Sequence, residues 1–98
     1  MRRVRFISPA LAEVADAADF YLARSQKAAD GLMDAVDHAT DLIRRNPEIG
    51  HLTEKGARRV TLSGYRYDLV YSLRGEEVVV NAVAHHRREP FYWVNRLD

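Results

Sequence analysis

No cysteine occurs in the sequence. Disulfides and thiolate metal centres are thereby excluded, and a reducing, cytoplasmic setting is expected. No apolar run approaches the ~18 residues that a membrane-spanning helix needs. The opening MRRVRFISP is positively charged but has no apolar stretch behind it, so no secretory signal is expected. Charge of one sign is also missing in total: 15 Lys+Arg stand against 14 Asp+Glu, for a net +1. Lysine is scarce, with Lys27 and Lys55 alone, so the positive charge is almost all arginine. There is no internal repeat and no low-complexity segment. With 98 residues the chain is expected to form one domain, residues 1–98, with no room for a second core. A chain of this size buries roughly 65% of its unfolded surface, enough for stability without staples.

The charges are unevenly placed. Between residues 10 and 41 the acids are Glu13, Asp16, Asp19, Asp30, Asp34, Asp37 and Asp41, against Arg24 and Lys27. From Arg44 to Arg96 basic residues dominate. The most informative stretch is VVVNAVAHHRREPFYWVNR, residues 78–96. Val78, Val80, Ala82 and Ala84 fall on one parity and Val79 and Val83 on the other, so the strand is apolar on both faces and central in its sheet. It ends in His85, His86, Arg87, Arg88 and Glu89. Pro90 then stops the ladder, having no N–H to give, and Phe91, Tyr92 and Trp93 follow. A buried strand that brings a cationic and then an aromatic cluster to one sheet edge is a candidate site. For the aromatics, a plug on the core is the simpler reading.

Upstream, Val4 and Phe6 alternate with Arg3 and Arg5 as a short strand over residues 3–7. Ser8-Pro9 predicts a helix start, with Ser8 as the cap and Pro9 at the first helical position. Leu11, Val14, Ala15, Ala18 and Leu22 give one apolar stripe, and the helix ends near Arg24. Ser25 caps a second helix over residues 26–45. Its stripe is Ala29, Leu32, Met33, Val36, Ala39, Thr40 and Ile43, and Asn46-Pro47 stops it. Gly31 is the one residue out of character there. Residues 47–57 read as loop. Strands follow at 58–62 and 65–73, with turns at Ser63-Gly64 and Arg74-Gly75, and a third at 77–85. Residues 91–98 read as a short helix or an irregular tail. Neither His38, among aspartates on a helix face, nor His51, in the loop, has the partners of a metal site, and no cofactor is expected.

The assembled fold class is α+β. An N-terminal strand precedes an antiparallel helix hairpin, which packs on one face of a mainly antiparallel sheet with a three-strand C-terminal meander. Tyr65, Tyr67, Leu69, Tyr71 and Leu73 should meet the helices, mainly Leu11, Val14, Leu22, Leu32, Val36 and Ile43. The other face, with Arg59, Arg66, Asp68 and Ser72, should be more open.

Taken in order, Asn46-Pro47-Glu48 with Gly50, Arg58-Arg59, Leu69-Val70-Tyr71, and Ala84-His85-His86-Arg87-Arg88 with Tyr92-Trp93 resemble the RelE/ParE superfamily of toxins from type II toxin–antitoxin (plasmid stabilisation) pairs. The resemblance covers nearly the whole chain and implies a growth-inhibiting toxin neutralised by a cognate antitoxin protein. The superfamily splits by target. ParE-like members bind DNA gyrase, and the ending AHHRR-P-YW resembles theirs. RelE-like members cut ribosome-bound mRNA without a metal, and the resemblance then implies Arg59, His86 (or His85), Arg87 and Tyr92 as the catalytic groups. Histidine suits the base, since it titrates near neutrality. The lysine cluster of familiar RelE-like enzymes is missing here. A third reading is a non-toxic relative that only binds an antitoxin. For target or antitoxin binding the implied residues are Arg58, Arg66, His85, Arg88, Phe91 and Trp93.

Overall fold

The computed structural model describes residues 2–97; Asp98, the last residue of the expected C-terminal tail, lies outside them. Strand β1 (Arg3–Phe6) leads into helices α1 (Ser8–Leu22) and α2 (Gln26–Arg45). Strands β2 (His51–Leu52), β3 (Arg58–Thr61), β4 (Tyr67–Arg74) and β5 (Glu77–His85) follow, and a 3-10 turn (Val94–Arg96) ends the described chain. The sheet order is β1-β5-β4-β3-β2. β1 runs parallel to β5, and the other pairs are antiparallel. The doubly apolar β5 is therefore interior, as its valines require. The short β2 extends the sheet from within the expected loop.

The helix hairpin covers one face. Leu32, Val36, Ala39 and Ile43 of α2 share a core with Leu69, Tyr71, Val78, Val80 and Val83 of the sheet. Ser25 caps α2 as its chemistry demands, its Oγ accepting from the Ala28 N–H at 3.0 Å. Gly31 has a packing reason: a β-carbon there would collide with the Tyr65 hydroxyl, which reaches over the helix to donate to the Ala28 carbonyl at 2.8 Å.

α1 differs from expectation in two ways. Ile7, not Ser8, is its cap residue, with no side-chain hydrogen bond. Strand geometry persists to Ile7, whose N–H donates to the Val80 carbonyl at 3.1 Å, so Ser8 is already inside the helix. The helix is also rotated about its axis. It buries Ala10 and Ala17, with Val14, Ala18 and Tyr21 beside them, while Leu11 and Leu22 are 55% and 49% exposed. Met33 of α2 is likewise exposed. Two contacts on α1 explain the rotation. The Tyr21 ring packs edge-on against Tyr65 and Tyr67, with centroids 5.0 and 6.5 Å apart. Glu13 is drawn to the sheet by polar partners described below.

A bulge alters the faces of β5. Val70 sits opposite Ala82 but Tyr71 opposite Val80, leaving Asn81 as the extra residue. Its buried amide donates to the Ser72 Oγ at 3.0 Å and the Val79 carbonyl at 3.3 Å. Side-chain parity flips there. Val83 joins the helix-side core, whereas Ala82 and Ala84 fall on the opposite face with Val70. That second face is less open than expected, because Phe91, Tyr92, Trp93 and Leu97 pack across it. The β4–β5 turn is Gly75-Glu76, one residue later than expected, with Gly75 at φ 62°.

Candidate functional site

The site lies on the second face, where β5 ends and β4 begins. Asp68 of β4 stands between Thr61 of β3 and Ala84 of β5 in the sheet register. Its carboxylate accepts from the Thr61 hydroxyl at 2.8 Å and meets His86 Nε2 at 3.0 Å. The His86 N–H donates to the Arg66 carbonyl at 2.9 Å, which extends the β4–β5 pairing by one step. His86 is thus held at backbone and ring. Arg59 of β3 lines the same cleft, and the Arg88 guanidinium lies 3.8 Å from the Tyr92 ring centroid, a cation–π contact. The cleft encloses about 260 Å³, bounded also by Thr53, Val70, Phe91 and Trp93. Phe91, where the chain turns after Pro90, has φ 63°. A left-handed backbone at a bulky residue costs about 1–2 kcal/mol. The Phe91–Trp93 ring contact, with centroids at 5.6 Å, helps to hold it.

Beneath the cleft a polar knot ties α1 to the chain end. β1 leaves β5 after Val80, so the edge of β5 beyond it needs other partners. Glu13 Oε1 accepts from the Val83 N–H at 2.9 Å, and the Arg96 guanidinium donates to the Asn81 carbonyl at 3.0 Å. Arg96 and Glu13 also pair with each other through two contacts, at 3.0 and 3.1 Å. The Tyr92 hydroxyl donates to Glu13 Oε2 at 2.8 Å. Burial, and then the Glu13 hydrogen bond and charge, push the Tyr92 phenol up to about 12. It stays protonated at neutral pH with its proton committed to Glu13.

Residues 4–90 match the family model described as "ParE toxin of type II toxin-antitoxin system, parDE". The chain belongs to this ParE toxin family. It is a toxin of a type II toxin–antitoxin pair, and its protein partner is an antitoxin. Among solved structures, a chain of the "Chromosomal ParDE TA system from P. aeruginosa" superposes with a TM-score of 0.75 at 21% identity. The match covers 87% of this chain and 96% of that one, and shows the same fold. No curated protein matches the chain.

In this ParE-family toxin, Arg59, His85, His86, Arg88, Phe91, Tyr92 and Trp93 all line the cleft, while Arg87 and Arg66 do not. The Arg87 N–H donates to His85 Nδ1 at 3.0 Å, and its side chain is exposed. The His85 ring lies edge-on to Tyr67, centroids 4.9 Å apart, at the margin of the helix-side core. Arg58 is half-buried, and its Nη1 donates to the Gly50 and Glu48 carbonyls at 2.9 and 3.2 Å and so fixes the loop before β2. Trp93 is only 5% exposed and packs with Ala57, Val70 and Ala82. It closes the protein's own core, as the simpler reading of the aromatics held, and offers a partner little ring surface. Sequence reasoning missed Glu13 and Arg96. The one available signal for Glu13 is an acid one residue before Val14, at the border of the apolar stripe. Among the described residues no cluster of His, Asp and Glu is arranged to hold a metal, and no helix is long and apolar enough to cross a membrane.

Proposed function

We propose that this toxin acts in the cytoplasm by binding, with DNA gyrase as its target. The observation that carries this reading is the state of Tyr92. RNA cleavage needs a group to activate the 2′-hydroxyl, donors for the phosphate and an acid for the leaving oxygen. The Tyr92 proton is held by Glu13 at 2.8 Å, and its pKa near 12 makes it a weak acid. Arg87 lies outside the cleft, and neither lysine stands among the cleft's lining residues. A cleft with Arg59, Arg88 and an Asp68-oriented His86 suits recognition of acidic groups on a partner protein. The ribosome-dependent RNase reading has one observation in its favour, that Arg59, His86 and Tyr92 border one cleft.

Expression without antitoxin separates the readings. Binding to gyrase predicts growth arrest with a DNA-damage response and intact mRNA, and a Tyr92→Phe toxin that still folds and still arrests growth. Messenger cleavage lost on His86→Ala or Arg59→Ala would overturn the proposal in favour of the RNase. Absence of growth arrest from a folded, expressed chain would leave only the non-toxic relative.

A further inference from the structure

At the far end of β5 from the cleft, three elements bring arginines together. Arg2 and Arg3 come from the start of β1, Arg44 and Arg45 from the end of α2, and Arg74 from the β4–β5 hairpin. They border an open hollow of about 600 Å³ together with Pro47, Glu76 and Glu77. Arg5 stands nearby, paired to Glu77 at 3.2 Å. β5 separates this corner from the cleft by eight residue steps, or roughly 26 Å at about 3.3 Å per residue. The two surfaces are therefore separate.

The local pairs account for only part of this charge. Arg44 and Arg45 share one acid, Asp41, at 3.5 and 3.0 Å, and suit the negative end of the α2 dipole. Arg2 reaches Glu76 at 3.3 Å, and Glu76 is almost wholly exposed. These are surface ion pairs, weak and easily exchanged for another anion. Leaving Arg74 aside, five arginines, counting Arg5, thus face three acids among the described residues, Asp41, Glu76 and Glu77. In a chain of net charge +1, much of the uncompensated positive charge sits here.

The chemistry of the rim selects the ligand. A protein interface needs buried apolar or aromatic anchors at its centre. Among the described residues, Pro47 is the only apolar one bordering this hollow, and four of the seven large exposed apolar residues, Leu11, Phe20, Leu22 and Met33, lie on the helix hairpin. A ligand that is anionic along its whole length and asks for no apolar contact is a nucleic-acid backbone. Guanidinium groups match phosphate oxygens two at a time. We propose that this arginine corner docks the phosphate backbone of a nucleic acid. It does so independently of the cleft and of the identity of the protein target.

The test is fluorescence anisotropy of a labelled DNA duplex with the purified full-length chain at 50, 100 and 200 mM salt. Three neutralised phosphates predict a loss of affinity of roughly 40-fold across that range. Arg3→Ala/Arg45→Ala removes two exposed contacts, so it should weaken low-salt binding and flatten the log–log salt slope by about 2. Arg24→Ala, an exposed arginine over the Phe20 ring at the other end of α1, should leave both unchanged. Circular dichroism and melting curves confirm that the variants fold. An equal loss in the Arg24→Ala control would reduce the effect to general charge and overturn the proposal. So would a duplex that fails to bind at 50 mM salt while a polyglutamate peptide binds, which would make the corner a seat for an acidic protein segment.

Discussion

Single side chains hold this fold at points where backbone groups would otherwise be stranded. The buried Tyr71 hydroxyl donates to the Pro47 carbonyl at 2.7 Å and accepts from the Gly50 N–H at 2.9 Å. It bridges β4 to the loop that follows α2. Gly50 must lack a side chain, because a β-carbon would lie 2.6 Å from that oxygen and 3.0 Å from the Arg59 carbonyl. Tyr71→Phe keeps the ring and strands both loop groups, so a loss of about 1–3 kcal/mol is expected in chemical denaturation. A second residue-level expectation concerns pH. The Tyr92 phenol is raised from its ordinary 10.0 to about 12. A group with a raised folded-state pKa contributes stability below its unfolded value and loses it as pH climbs to the folded value. The Tyr92 contribution is therefore intact below pH 10 and disappears between about 10 and 12. Ultraviolet titration of tyrosinate should show a late step in the wild type that Tyr92→Phe lacks. Tyr67 and Tyr71 are also raised, by burial first, so the difference between the two proteins is the quantity to read. A difference between the two proteins centred near pH 10, not near 12, would show that Tyr92 is an ordinary solvated phenol.

Elements were legible in the sequence wherever the local rules agreed and no tertiary contact overrode them. α2 matches its expected bounds because Ser25, the 3.6-residue stripe and Asn46-Pro47 agree. β5 matches because β-branched runs on both parities fit only an interior strand. α1 was legible as a helix but not in its orientation. Its leucines suggested one face, whereas tertiary contacts of Glu13 and Tyr21 set another, and small alanines let that face lie close to the sheet. The Asn81 bulge was equally hidden, since an extra residue within an apolar run leaves no mark in composition. Of the site, the His85–Arg88 and Phe91–Trp93 clusters were legible. The knot was not, because Glu13 and Arg96 are 83 residues apart in sequence. That knot is what joins α1, the edge of β5 and the terminal segment. Arg96→Ala leaves the mostly buried Glu13 carboxylate without its countercharge, and a cost of about 3 kcal/mol is expected. Glu13→Ala should destabilise as well, and a double-mutant cycle should return a coupling of about 0.5–3 kcal/mol. Trp93, the sole tryptophan, should shift to longer wavelength in either variant as the segment loosens from the sheet. Additive effects with unchanged emission would show that the segment is held by its aromatics alone.

At the scale of the whole molecule, the antitoxin is expected to cover apolar surface that the toxin leaves exposed. The rotation of α1 that buries its alanines turns Leu11 and Leu22 outward, and Phe20 on the same helix and Met33 on α2 are also substantially exposed. Singly exposed apolar residues are ordinary, but several on one helix pair form a surface suited to a partner. Trp93 is already dry within the second core, so a partner on the hairpin has no cause to change its surroundings. A stable specific complex buries at least ~1,200 Å² in total, and the hairpin carries four of the seven large exposed apolar side chains among the described residues. Burying one leucine is worth about 2 kcal/mol, which corresponds to roughly 30-fold in affinity. Leu22→Asp should therefore weaken binding of the cognate antitoxin by at least that factor. It should leave the toxin's melting behaviour close to wild type, because the side chain is solvated in the free protein. Titrating a tryptophan-free antitoxin should give tight binding with little change in Trp93 emission. A large emission shift, together with wild-type affinity in Leu22→Asp, would place the antitoxin over the cleft and its aromatic wall instead.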